Sequence, residues 1–468
     1  MNFPHFSPDV PSKLSEGQVK KSLRNSIFDG SAYSVMLGLT QNYITPYALT
    51  MKATIQQIGL LTSVPNFTMA AAQFVAPTLS ERLGSRKGFI LPMVLMHALM
   101  WLPILLIPYL FQTHQVWWLI AFMTLSTAFD SALNPAWGSM MADLVPAQMR
   151  GRYFGLRNRI TAFVSMALSY AAGGILQLLT GNTDMAFTII LIGAMASRLV
   201  SLYFLSKMHE PLSPATEQRG HEGTLKLARG LFSTNIGMFI MLCALMTFSA
   251  TLAGPFFSPY MLNDLNMNYI VYTALNSVTG LATVGFMTWW GKRIDRAGSI
   301  KVLKITSLLV PFVPLGWLPS HSLWWLAIMQ VFSGFAWAGF QLSAGVFIFD
   351  ATPPRNRTRY IALYNSLIYL GASVGALVGG VVTPHLPPIM GSPFLSIFAV
   401  SGAARLAVAL FFLRRIKEVR KVPHIEASEL LFSDFQRPWI DRAYGYVVAY
   451  FRRRKIDRRS NPLRHIIL

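Results

Sequence analysis

The sequence predicts an all-α integral membrane fold of twelve transmembrane helices, arranged as two six-helix halves with both termini in the cytoplasm. Three observations carry this. The chain of 468 residues is 53% hydrophobic and only 13% charged, against roughly 25% charged residues in a soluble domain, so its apolar surface exceeds what one core can bury. Successive segments of about 20 mostly apolar residues have the length that spans a bilayer. Short motifs from the first half recur in order in the second. The composition excludes a disordered chain, which would be poor in apolar and aromatic residues. The single cysteine, Cys243, excludes an intramolecular disulfide.

Residues 1–26 are a polar segment carrying Lys13, Lys20, Lys21 and Arg24. They lack the apolar core and cleavage site of a signal peptide, so the chain is expected to keep this segment. The first half, 27–206, holds spans near 27–49, 55–79, 88–111, 116–141, 156–180 and 185–206. A polar linker, 207–234, follows. The second half, 235–413, holds spans near 235–262, 268–290, 301–319, 322–349, 359–383 and 392–413. A basic tail, 414–468, ends the chain. Alternate loops carry Arg82, Arg86 and Lys87, then Arg150 and Arg152, then Lys292, Arg293 and Arg296, then Arg355 and Arg357; the intervening loops carry only Lys52. This is the positive-inside pattern. It explains the net charge of +21 by topology and removes nucleic acid as a partner.

Four matches mark the repeat. Thr45, Pro46 and Tyr47 correspond to Ser258, Pro259 and Tyr260. Glu81, Arg82 and Gly84 correspond to Asp295, Arg296 and Gly298. Asp143, Pro146, Arg150 and Tyr153 correspond to Asp350, Pro353, Arg357 and Tyr360. Arg198 corresponds to Arg405. On these residues the chain resembles the major facilitator superfamily of secondary transporters over about residues 25–415. That family's motif between spans 2 and 3 reads roughly G-x-x-x-D-R-x-G-R-R. The second-half copy keeps Gly291, Asp295, Arg296 and Gly298. The first has Pro77, Glu81, Arg82, Gly84, Ser85, Arg86 and Lys87. The resemblance implies a substrate site at the midplane between the halves, lined by spans 1, 4, 7 and 10. It also implies a gate of Glu81, Arg82, Gly84, Arg86, Asp143, Arg150, Gly291, Asp295, Arg296, Gly298, Asp350 and Arg357 that latches the cytoplasmic ends. The alternative is that these charges only set topology and cap short loops.

An ionisable group inside a span is costly and marks function by default. Asp130, mid-way along span 4, is read as a site for a cationic substrate or for the coupling proton; the alternative is a carboxylate satisfied by a neighbouring helix. Asn134 lies one turn on, on the same face, and Pro135 beside it frees a carbonyl. Trp337 and Gln341 are the span-10 counterparts of Asp130 and Asn134, with bundle packing as the alternative for Trp337. Gln41, Asn42 and Tyr43 form a polar run suited to the cavity or an outer gate. Asn66, Gln73 and Asn276 are read as helix–helix hydrogen bonders. Asp29 is read as a solvated or helix-capping acid at the start of span 1. Arg198 and Arg405 are expected to share a structural role and snorkel to the interface, with substrate binding as the alternative, and His97 to be packing with a satisfied hydrogen bond. Gly371, Gly375, Gly379 and Gly380 in span 11 predict close helix approach. The proton–drug antiporter subset has an intramembrane arginine in span 4, where this chain has Met123, and a proline in its span-5 glycine motif that is absent here. Both departures count against that mechanism.

In the tail, Trp439, Ala443, Tyr444, Val447 and Phe451 fall at helical spacing before the basic run 452–459. This predicts an interfacial helix on anionic headgroups, with a partner-docking tail as the alternative. No nucleotide-binding loop, metal motif or hydrolase elbow is found, so no cofactor, no metal and no catalysis are expected. The sequence is read as a monomeric, multi-pass cell-membrane protein. It would move a small organic solute by alternating access, coupled to protons. A lipid-translocating protein, or a non-transporting sensor or scaffold of the same fold, is the alternative.

Overall fold

The computed structural model describes residues 14–146, 149–211, 234–352 and 357–419. Its elements are helical, and no strand occurs among the described residues. In chain order they are α1 (Glu16–Thr40), α2 (Ile44–Thr50), α3 (Ile55–Arg82), α4 (Arg86–Leu110), α5 (Gln115–Leu144), α6 (Arg150–Leu178) and α7 (Thr183–Ser206). Then come α8 (Asn235–Thr251), α9 (Phe257–Pro259), α10 (Tyr269–Ala297), α11 (Ser299–Leu309), α12 (Phe312–Leu315), α13 (Leu323–Ala351), α14 (Arg357–Val382) and α15 (Pro393–Leu413). Nine helices among the described residues are long and apolar enough to cross a membrane.

Helix starts follow from polar residues before apolar runs. Ser15 caps α1 through a reciprocal box, its hydroxyl accepting from Gln18 N and the Gln18 side chain accepting from Ser15 N, which satisfies two orphan donors. Ser85, Asn182, Thr234 and Asn268 cap α4, α7, α8 and α10 in the simpler way. Because α1 begins at Glu16, Asp29 lies well inside the helix and is only 4% exposed. This corrects the expectation of a solvated capping acid.

Proline interrupts the helix between α1 and α2, at Pro46, and between α8 and α9, at Pro255, four residues past Thr251. Helix α1 stops at Thr40, three residues turn, and α2 resumes; α8 stops at Thr251 and short 3-10 and π segments continue to Asp264. Pro46 has no N–H for the carbonyl of Asn42 four residues back. The Tyr272 hydroxyl donates to that carbonyl instead, at 2.7 Å. Pro108 likewise leaves the Ile104 carbonyl, which accepts from the Tyr47 hydroxyl at 3.0 Å.

Helices α1–α7 pack on one another, as do α8–α15, and the two groups meet along α3–α14 and α6–α10. We call the end holding the Arg86 and Arg296 turns the basic end and the opposite one the far end. Between described residues, the hydrogen bonds joining the groups lie in the far half or at mid-depth. Tyr43 Oη sits 2.5 Å from Thr273 Oγ1, Tyr272 bonds Asn42, Ser63 Oγ is 3.2 Å from Ser373 Oγ, and Ser366 reaches the Ala70 carbonyl at 3.5 Å. Glycines make the α14 contacts possible. A Cβ on Gly371 would meet the Ala244 carbonyl of α8 at 2.5 Å, and one on Gly59 would meet Gly380 Cα at 2.8 Å. Helices α5 and α13 pack within their own groups.

Candidate functional site

The buried polar groups of the first group converge on Asp130. Tyr33 Oη of α1 donates to Asp130 Oδ2 at 2.9 Å, and Arg198 Nη2 of α7 donates to Oδ1 at 3.1 Å. His97 Nδ1 of α4 lies 3.1 Å from the same Oδ1. Arg198 Nε also reaches His97 Nδ1 at 3.1 Å, and its Nη1 donates to Ser201, whose hydroxyl donates to Asp29 at 2.7 Å. The Arg198 guanidinium covers the Tyr33 ring, 4.5 Å from its centroid. Arg198 is 3% exposed and His97 4%. A carboxylate withdrawn from water must be paired or pay a desolvation penalty, and the half-buried Asp130 draws donors from three helices.

Two expectations change here. Arg198 does not snorkel; it turns inward to Asp130. Arg405, its repeat counterpart and equally buried, has no carboxylate within 4.0 Å among the described residues. It donates to the Val310 and Ala250 carbonyls, both at 3.3 Å. The shared position therefore serves an ion pair in one group and carbonyl capping in the other, where Pro314 leaves Val310 without its helical donor. His97 is more than packing. Its Nδ1 stands between a donor, Arg198 Nε, and an acceptor, Asp130 Oδ1. A neutral ring with a bare Nδ1 accepts from Arg198, and a protonated ring donates to Asp130.

Asn134 is exposed, its side chain donating to the Asp130 carbonyl at 3.1 Å. Gln341 on α13 is also exposed, whereas Trp337 packs in the second group's core, edge-on to Phe340. Gln41 is exposed at the end of α1, and Asn42 donates to Ser169 at 3.2 Å. Asn66 and Asn276 bond carbonyls of their own helices rather than crossing to a neighbour.

The predicted gate residues divide. Arg86 Nη1 pairs with Asp143 at 2.6 Å and donates to Ser139 at 3.0 Å. Arg150 caps the end of α5 through the Ala142 and Val145 carbonyls. Glu81 and Arg82 end α3, and Arg357 starts α14; their side chains lie outside the described residues. Asp295 and Arg296 are exposed on the last turn of α10, and Asp350 lies in the last turn of α13. Gly84 and Gly298 hold φ +66° and +86°, where a side chain would be strained. Gly291 lies within α10, facing Leu342.

Sequence reasoning missed a pair of acids. Glu210 accepts from Arg86 N at 2.7 Å and from Ser85 Oγ at 2.8 Å. Glu418 accepts from Ile300 N at 2.8 Å. Each follows the last helix of its group and caps the third span's start, where the helix dipole favours an anion. Their matching places after spans 6 and 12 were the available signal. The predicted tail helix at 438–451 and its basic run lie outside the described residues.

An apolar groove of about 510 Å³ lies between α4 and α7, lined by Leu91, Pro92, Leu95, Leu199, Leu202, Tyr203 and Ser206. None of the Asp130 cluster lines it.

Residues 32–389 match the profile of the MFS_1 like family. The chain belongs to this family of the major facilitator superfamily. Its relatives include the class H tetracycline resistance protein of Pasteurella multocida, 27% identical over 159 residues, which are 33% of this chain and 37% of that relative. The chain thus matches well under half the length of that curated relative. In fold it is similar to a mutant form of the nucleoside transporter NupG, with a TM-score of 0.70 at 13% identity over 85% of this chain and 100% of that one. It is also similar to a D-xylose–proton symporter, at 0.67 and 13% over 86% and 99%. The protein is a multi-pass membrane protein of the major facilitator fold.

Proposed function

We propose that the chain is a secondary active transporter. It moves a small organic solute across the cell membrane by alternating access, coupled to protons, with twelve passes and both termini cytoplasmic. The domain limits are those read from the sequence, a linker at 207–234 dividing 27–206 from 235–413. The observation that carries the reading is the asymmetry of the seam. The groups are bonded through Tyr43, Thr273, Tyr272 and Asn42 at the far end, while α5 and α13 keep to their own groups and present exposed Asn134 and Gln341. This is the arrangement expected of a state open at the basic end. Asp130 with His97 and Arg198 is the proton site. Asn134 and Gln341 face the solute, and Asn42 and Gln41 belong to the far gate. The pairing of Arg86 with Asp143 braces the basic end within one group, and Asp350, Asp295, Arg296 and Arg357 serve the second group there.

The test is flux in proteoliposomes, with solutes first chosen by thermal shift of purified protein, since a ligand of the folded state raises the melting temperature. Wild type should concentrate its solute along an imposed proton gradient. Asp130→Asn should still exchange solute but lose the response to the gradient. A solute that binds wild type yet never crosses the bilayer would remove the transport reading in favour of a receptor.

A further inference from the structure

The Asp130 cluster leaves no cation for a ligand, because Arg198 is spent on Asp130, His97 and Ser201. A second arginine is placed differently. Arg157 of α6 has its guanidinium packed against two neighbouring helices. One is α1 at Gly30, where a Cβ would meet Nη2 at 2.6 Å, Cζ at 2.8 Å and Nε at 3.0 Å. The other is α5, whose Trp137 ring centroid lies 4.6 Å from Cζ. Nε is anchored on the Ser26 carbonyl at 3.3 Å. The two Nη groups donate to no acceptor among the described residues, and neither is sealed from solvent. Among those residues no carboxylate comes within 4.0 Å of Arg157; Asp29, hydrogen-bonded to Ser201, acts on it only through space.

We propose that Arg157 is a substrate-binding residue, and that the solute carries an oxyanion, a carboxylate or a phosphate, received by its two free Nη groups. This rests on the transport reading above and names the substrate class for it. A guanidinium fork matches two oxygens of a carboxylate or phosphate at once. Packing it against a glycine notch and an indole removes rotamer freedom that an arginine otherwise loses on binding. The notch explains Gly30, and the stack explains Trp137, one turn beyond exposed Asn134 on the same helix. A membrane-facing arginine would extend to the headgroups; this one is clasped between three helices of the bundle. The proposal displaces the cationic solute considered for Asp130, which already has its counter-ion.

Binding is measured by thermal shift and calorimetry on the full-length protein in detergent. The probes are succinate, benzoate, citrate, glycerol 3-phosphate and inorganic phosphate, with choline and xylitol as cationic and neutral counterparts. Wild type should bind at least one anion and neither counterpart. The comparison of carboxylates with phosphates then assigns the source of the oxyanion. Arg157→Gln should weaken that binding roughly 10- to 100-fold, the range for losing a hydrogen bond to a charged group, and Arg157→Lys should weaken it less. Gly30→Ala, which leaves the arginine in place but crowds it, should also weaken it. Three results would overturn the assignment: no anion binds wild type, a cation or polyol binds instead, or Arg157→Gln lowers the melting temperature without ligand while anion affinity stays unchanged. Anion binding without flux would keep this site and remove the transport reading. Flux of a neutral solute indifferent to Arg157→Gln would do the reverse.

Discussion

Asp130 shows what a single acid costs in a membrane bundle and how the cost is met. Its donors come from Tyr33, His97 and Arg198 on three other helices. Removing Arg198 leaves a half-buried carboxylate, its side chain 23% exposed, without its counter-charge, a loss smaller than the ~3–5 kcal/mol of fully buried pairs. Arg198→Met should therefore lower the unfolding temperature, and Asp130→Asn should restore part of the loss in the double variant, because no bare charge remains. Arg405→Met should be milder, since it deprives two carbonyls rather than a carboxylate. Differential scanning fluorimetry of the three variants against the parent checks both orderings. Asp130 itself was legible as a lone acid in an apolar run. Its partners were not, because Tyr33, His97 and Arg198 lie on separate spans and no local spacing ties them together.

At the level of elements, glycine and proline decide how helices meet. Gly59 and Gly380 let α3 and α14 touch at the far end, where a Cβ on Gly59 would meet the Ala376 carbonyl at 2.7 Å. Gly59→Val should force these helices apart and cost about 1–3 kcal/mol, the usual penalty of overpacking. Because the contact lies at the far end, the same variant should also favour the opposite state of the cycle. Alkylation of a cysteine placed at Thr50 near the far end, with Cys243 replaced by serine, should then become faster; an unchanged rate would count against the contact as part of the gate. The close approach was readable from the spacing Gly371, Gly375 and Gly379. That Gly59 was its counterpart across the seam was not, because that pairing depends on how the two groups dock.

For the whole molecule, the far seam is the feature a transport cycle must break. Tyr43, Thr273, Tyr272 and Asn42 form one hydrogen-bonded patch across it. Two packings of the same groups that differ by a few kcal/mol interconvert with small perturbations. Tyr43→Phe with Thr273→Val removes the shared hydroxyl contact at almost constant volume. A cysteine at Gln341 should then react more slowly with a membrane-impermeant maleimide applied from the basic side. Equal rates in variant and parent would remove this patch from the gate.

The membrane class and the major facilitator family were legible in the sequence alone. Apolar length, loop charge and recurring motifs are local properties, and a bilayer leaves helices as the simplest way to satisfy each span's backbone. The breaks were not foreseen, since 27–49 and 235–262 read as continuous, but they follow from Pro46 and Pro255, whose missing N–H acts four residues back on Asn42 and Thr251. Tertiary structure alone decided which charges meet. It turned Arg198 inward, joined it to His97 and Asp130, left Arg405 on carbonyls, and laid Arg157 open between Gly30 and Trp137. Such choices depend on the rotation of each helix about its axis and on its neighbours, and a few degrees of either exchange a paired charge for a free one.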